Sequence, residues 1–134
     1  MRAIAYVSSA TWNLLHEELE QIVADSRGRN AESGVTGVLL YCDGNFMQYL
    51  EGPDDAVLAT WERIRRNERH YQLNELMNQP IAEREFPDWT MGFTRSAPNV
   101  SPDRAVARWD GPGRLGPGAA MLRLFWRNCR AGVA

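Results

Sequence analysis

The chain has 134 residues, enough for one domain that buries its own core without disulfide or metal staples. Hydrophobic residues at 44% and charged residues at 24% suit an ordinary soluble fold, and a formal net charge of −2 gives no electrostatic case for nucleic acid, where a clearly basic face is expected. Cys42 and Cys129 show no metal-ligand spacing and do not read as a disulfide framework, which favours a reducing cytoplasm; no apolar run approaches the roughly 20 residues of a membrane span, and the N-terminus lacks a signal-peptide core.

Residues 2–9 read as a short strand with Ile4, Tyr6 and Ser8 on one face and Ala3, Ala5 and Val7 on the other. Ser9 or Thr11 can cap the next helix, whose apolar positions Trp12, Leu15, Leu19, Ile22 and Val23 recur at spacings of three and four. Gly28, Gly34 and the polar residues between them are expected to end it. Residues 35–42 are apolar on both faces, as in a central strand covered on both sides. The turn Cys42-Asp43-Gly44 returns the chain into a hairpin strand over 45–51, and Pro53-Asp54-Asp55 opens a second helix that reaches about Arg66. Its apolar stripe is Val57, Trp61 and Ile64. A further strand lies within 71–81, a turn at Phe86-Pro87-Asp88, and a last short strand over 89–93. The order β-α-β-β-α-β-β predicts an α+β, ferredoxin-like sheet with two helices on one face.

Pro102 opens a short helix expected over 101–110, and the Gly- and Pro-rich stretch 111–118 breaks the chain. Residues 119–130 then place Leu122, Phe125, Trp126 and Cys129 on one helical face. Ala5, Val7, Met47 and Tyr49 leave the second face of the sheet apolar, so the C-terminal helix is expected to cover it, on its own sheet or on a second copy. Two units follow: residues 1–97, and a helical cap or output segment over 98–134.

Strand alternation places Gln48 on the face of Phe46 and Leu50, where an unpaired amide would cost about 1–3 kcal/mol. Tyr6, Ser26, Asn30 and Gln48 converge on the space between the two helices and the sheet, and a packed core would not choose four polar groups there. A phenol with its ordinary pKa of about 10 and an amide are neither acid nor base near neutral pH, and no nucleophile stands beside an activating base. Hydrolysis is therefore not expected, and neither is any other enzymatic role. A phenol can instead yield an electron and a proton to a strong oxidant, and a carboxamide can present its NH2 or its C=O by turning over. The pair suits a redox-active, hydrogen-bonding chromophore.

Over about residues 1–93 the chain resembles the BLUF domains, blue-light sensors that hold a flavin between the helices of such a sheet. The resemblance rests on Ala5-Tyr6-Val7-Ser8, on Ser26-Arg27 followed by Asn30, and on Gly34-Val35-Thr36-Gly37-Val38-Leu39-Leu40. It continues through Phe46-Met47-Gln48-Tyr49-Leu50-Glu51-Gly52-Pro53, Arg69-His70 and Phe86-Pro87-Asp88-Trp89-Thr90-Met91. It implies Tyr6 as photochemical donor and Gln48 as the switch between Tyr6 and the flavin. It also implies a flavin site of Tyr6, Ser26, Arg29, Asn30, Gln48, Arg63, Asn67, Arg69 and His70, and a signal relay through Trp89 and Met91. Asn67 stands where the family usually has aspartate, and Arg29 where histidine or asparagine is frequent. The implied cofactor is FAD, with FMN or riboflavin as alternatives, and no metal. Implied partners are the flavin, a homo-oligomer (a dimer or larger) and a downstream protein, without nucleic acid or membrane.

The same strand order also serves acylphosphatases and RNA-recognition modules. Ser8-Ser9-Ala10-Thr11 offers neither the glycine nor the arginine of an anion-cradling loop, and the net charge of −2 speaks against RNA. A cofactor-free interaction module is the remaining alternative.

Overall fold

The computed structural model describes residues 1–10, 16–42, 44–67, 70–87, 92–95 and 116–132. Its elements are β1 (Arg2–Ala10), α1 (His16–Ser33), β2 (Thr36–Cys42), β3 (Asn45–Gly52), α2 (Asp54–Arg65), β4 (His70–Pro80), β5 (Gly92–Arg95) and α3 (Pro117–Gly132). Trp12, Leu15, Asp43, Arg69, Trp89, Met91 and the expected helix over 101–110 lie outside the described residues.

The strands form one sheet in the order β4-β1-β3-β2-β5. The first four are antiparallel and β5 joins β2 in parallel, so the expected ferredoxin-like sheet is present. Ile4, Tyr6, Leu39, Phe46 and Leu50 pack on one face with Leu19 and Val23 of α1 and with Val57 and Trp61 of α2. On the other face Ala3, Ala5, Val38, Leu40, Met47 and Tyr49 pack with Ala119 and Leu122 of α3. The C-terminal helix thus covers its own sheet. Each fully buried aliphatic side chain of these layers is worth about 1.5–3 kcal/mol in surface removed from water.

One local expectation is sharpened and another corrected. Helix α1 runs through Gly28 to Ser33 and ends only at Gly34, whose φ of +78° suits a residue without Cβ. The carbonyl of Asn30 accepts from the N–H groups of Gly34 at 2.9 Å and Val35 at 3.2 Å, which closes the helix at the second of the two glycines expected to end it. Cys42, at the end of β2, is disulfide-bonded. Spacing alone could not announce this, because a disulfide joins residues that tertiary packing brings together. The bond also removes the argument from reduced cysteines for a reducing cytoplasm. Among the described residues no helix is long and apolar enough to cross a membrane.

Candidate functional site

The register places Tyr6 directly opposite Gln48 across the β1–β3 ladder, with Leu39 opposite Gln48 on β2. Opposed residues in a ladder share a face, so the phenol and the carboxamide meet by construction. The Tyr6 hydroxyl donates a hydrogen bond to Gln48 Oε1. Both residues are buried, Tyr6 at 3% exposure and Gln48 at 5%. The Tyr6 ring tilts against Trp61 of α2 at 4.9 Å between centroids and 44° between planes. Beside it, the β1–β4 pairing shifts register between Ala5 and Tyr6 and again between Val7 and Ser9, irregularities of the kind that re-aim side chains near sites.

Burial pushes the Tyr6 phenol well above its ordinary value, so it stays protonated and remains a donor at neutral pH. With its oxygen turned to Tyr6, the Gln48 carboxamide has its NH2 as the complementary donor.

A cleft opens above this pair between α1 and α2, with a cavity volume of about 90 Å³, or about 720 Å³ when its solvent-open side is counted. Ile22, Leu39, Phe46 and Ile64 supply its apolar walls, and Tyr6, Gln48, Ser26, Asn30, Arg29, Arg63 and Asn67 its polar groups. Asn30 is the most deeply buried of the helical set, at 2% exposure. Ser26, Arg29 and Asn30 share one face of α1, because residues three and four apart lie together on a helix; Arg63 lies in the last turn of α2 and Asn67 just beyond its end, where its N–H bonds the Ile64 carbonyl at 3.1 Å. The Arg63 guanidinium is held below its usual range, first by desolvation and then by the charge of Arg29.

The structure therefore brings together seven of the expected site residues: Tyr6, Ser26, Arg29, Asn30, Gln48, Arg63 and Asn67. His70 begins β4, and Arg69, Trp89 and Met91 lie outside the described residues. Asp25 and Thr60 also line the cleft and had not been singled out. Helical spacing could have found both: Asp25 lies one turn before Arg29, and Thr60 three residues before Arg63. Among the described residues no group of three His, Cys, Asp or Glu could hold a metal ion.

Apolar walls with buried amides at the floor and side suit a flat heterocycle that has apolar faces and a hydrogen-bonding edge. The arrangement fits the ring system of a flavin.

Comparison with known proteins points the same way. Residues 1–92 match the model of the family described as BLUF, sensors of blue-light using FAD. Photoactivated adenylate cyclase subunit beta of Euglena gracilis is 37% identical over 92 residues, which cover 68% of this chain and 11% of that protein. The chain thus spans only about a tenth of the length of that relative. The dark-state structure of BlrB, a BLUF protein, superposes with a TM-score of 0.67 at 33% identity, over 70% of this chain and 71% of that one. The photo-activated state of BlsA superposes with a TM-score of 0.70 at 25% identity, over 96% of this chain and 94% of that one.

Proposed function

This chain belongs to the BLUF family, sensors of blue light using FAD, and on that footing we propose that Tyr6 is its photochemical donor and Gln48 its switch. The protein is a flavin-binding blue-light photoreceptor, and the BLUF unit is itself a sensor and not a catalyst. When bound, FAD would supply the blue-light absorption and the transient demand for an electron. Tyr6 would give that electron from the floor of the cleft, with its hydroxyl proton already directed at Gln48 Oε1, and would regain both before the dark state returns, so that no net oxidation remains. Gln48 then exchanges the group it presents to Tyr6 for the one it presents to the cleft, by turning over or by tautomerising. Ser26, Arg29, Asn30, Arg63 and Asn67 would hold the ring, with Ile22, Leu39, Phe46 and Ile64 as apolar walls beside it.

The observation that carries this reading is the buried hydrogen bond from Tyr6 to Gln48 beneath the interhelical cleft. The switch re-forms about one or two hydrogen bonds, worth roughly 1–3 kcal/mol, enough to bias an output already near balance by about tenfold or more. Residues 98–134 act as cap and output segment, and the receivers of the signal are a further copy of the chain and a downstream protein. The packing of Ala119 and Leu122 against Met47 and Tyr49 supports this role, because it seats the segment on the strand that carries Gln48.

The test is optical. Purified with FAD, the wild type should show a small reversible red shift of the flavin bands under blue light, and Tyr6→Phe should retain the flavin but lose the shift. A full shift in Tyr6→Phe would remove Tyr6 from the donor role.

A further inference from the structure

The sheet face turned away from the cleft carries a carboxylate cluster that the photochemistry does not use. Glu51, near the end of β3, is fully buried. Its Oε2 accepts from the Tyr49 hydroxyl at 2.9 Å and from the Glu85 N–H at 2.8 Å. Its Oε1 accepts from the Phe86 N–H at 2.6 Å and from the Thr36 hydroxyl at 3.4 Å. Glu85 in turn directs its own carboxylate at the start of α3, accepting from the N–H groups of Gly118 at 2.9 Å and Ala119 at 3.3 Å. The first amides of a helix have no intrahelical partner, and a negative charge there also meets the positive end of the helix dipole.

Tyr49 closes the arrangement sterically. Gly118 lies so near its ring that a Cβ there would collide with Tyr49 Cε2 and stand 2.5 Å from Glu85 Oε2. Tyr49 is also the residue after Gln48 in β3, on the opposite face. A displacement of β3 at Gln48 therefore moves the ring on which the start of α3 rests. Packed interiors have discrete arrangements and do not deform continuously, so such a contact either holds or lets go.

We propose that Glu51, Tyr49 and Glu85 form a latch that fastens the start of α3 to the strand carrying Gln48, and that the light-driven change at Gln48 reaches α3 by loosening it. The proposal rests on the photochemical role assigned to Gln48. It places the output path on the far face of β3, through contacts that do not involve the relay expected at Trp89 and Met91.

Amide hydrogen exchange of the FAD-loaded full chain, in the dark and under blue light, tests it. Illumination should speed exchange over residues 118–122 of the wild type. Glu85→Ala, which removes the charged acceptor, and Gly118→Ala, whose Cβ would collide with the Tyr49 ring, should each speed it in the dark by about tenfold or more, and should abolish the further increase with light. Both variants should keep the flavin red shift. A wild type that shows the red shift without any change over 118–122 would overturn the latch, and so would variants that retain the light-dependent increase. Absence of the red shift in the wild type would instead remove the photochemical premise, and the flavin spectrum tells that case apart.

Discussion

Replacing Glu51 by glutamine keeps the side-chain shape but leaves one acceptor oxygen where the carboxylate has two. In the native protein the two oxygens face two backbone donors, Phe86 N–H at 2.6 Å and Glu85 N–H at 2.8 Å. A glutamine must turn its NH2 towards one of them, which loses that bond and leaves a buried donor facing a donor. Hydrogen bonds to a charged group are worth about 1.5–3 kcal/mol and neutral ones about 0.5–1.5 kcal/mol, so the remaining bonds weaken as well. Against this, the neutral side chain avoids the desolvation cost of a buried charge, several kcal/mol in the folded state. The balance for Glu51→Gln is a loss of about 2–3 kcal/mol, and for Glu51→Ala, which strands every donor, about 4 kcal/mol. With a urea m-value of about 2 kcal/mol/M, the glutamine variant should unfold about 1–1.5 M earlier than the wild type at fixed FAD concentration. A glutamine variant within about 0.5 kcal/mol of the wild type would refute the claim that both oxygens serve backbone donors.

Other expectations follow from the same geometry. Asn30→Ala should weaken FAD retention by about tenfold, the worth of one buried hydrogen bond, as measured by flavin release; unchanged affinity would take Asn30 out of the site. Burial raises the Tyr6 phenol above its ordinary value, and at Tyr49 burial acts together with the charges of Glu51 and Glu85. A raised folded-state pKa contributes stability below the unfolded value of about 10 that is lost as pH rises past it, so unfolding free energy should fall from about pH 10 upward. Ultraviolet titration should find at least two of the four tyrosines unionised at about pH 11 while the fold persists; ionisation of all four near pH 10 would contradict this. Non-reducing peptide mapping should recover Cys42 in a disulfide, and its quantitative alkylation without reductant would contradict the bond.

Much of the fold was legible because its strands and second helix announce themselves locally. Alternation in β1 and β3 put Tyr6 and Gln48 on one face with Ile4, Phe46 and Leu50, and the register then made them partners. Helix α2 was marked by Asp54 and Asp55 in its first turn and by the stripe through Val57 and Trp61. The end of α1 was legible only as a range, because Gly28 carries a stop signal that the helix overrides until Gly34 supplies a positive φ. Glu51 was hidden for a different reason. A carboxylate in a strand looks like a solvated position, and only the approach of Thr36, Glu85 and Phe86, each remote in sequence, makes burial possible. Residue roles at the cleft came from the family resemblance, since the chain itself shows only that amides and a phenol converge there.

The central claim is that Gln48 changes its hydrogen-bonding state when light acts through Tyr6, and side-chain NMR of Gln48 measures this directly. With the protein labelled at glutamine and loaded with FAD, blue light should reversibly move the Gln48 carboxamide resonances, and Tyr6→Phe should hold them at their dark positions. Carboxamide resonances that stay fixed in the illuminated wild type, while its flavin bands shift, would contradict the account.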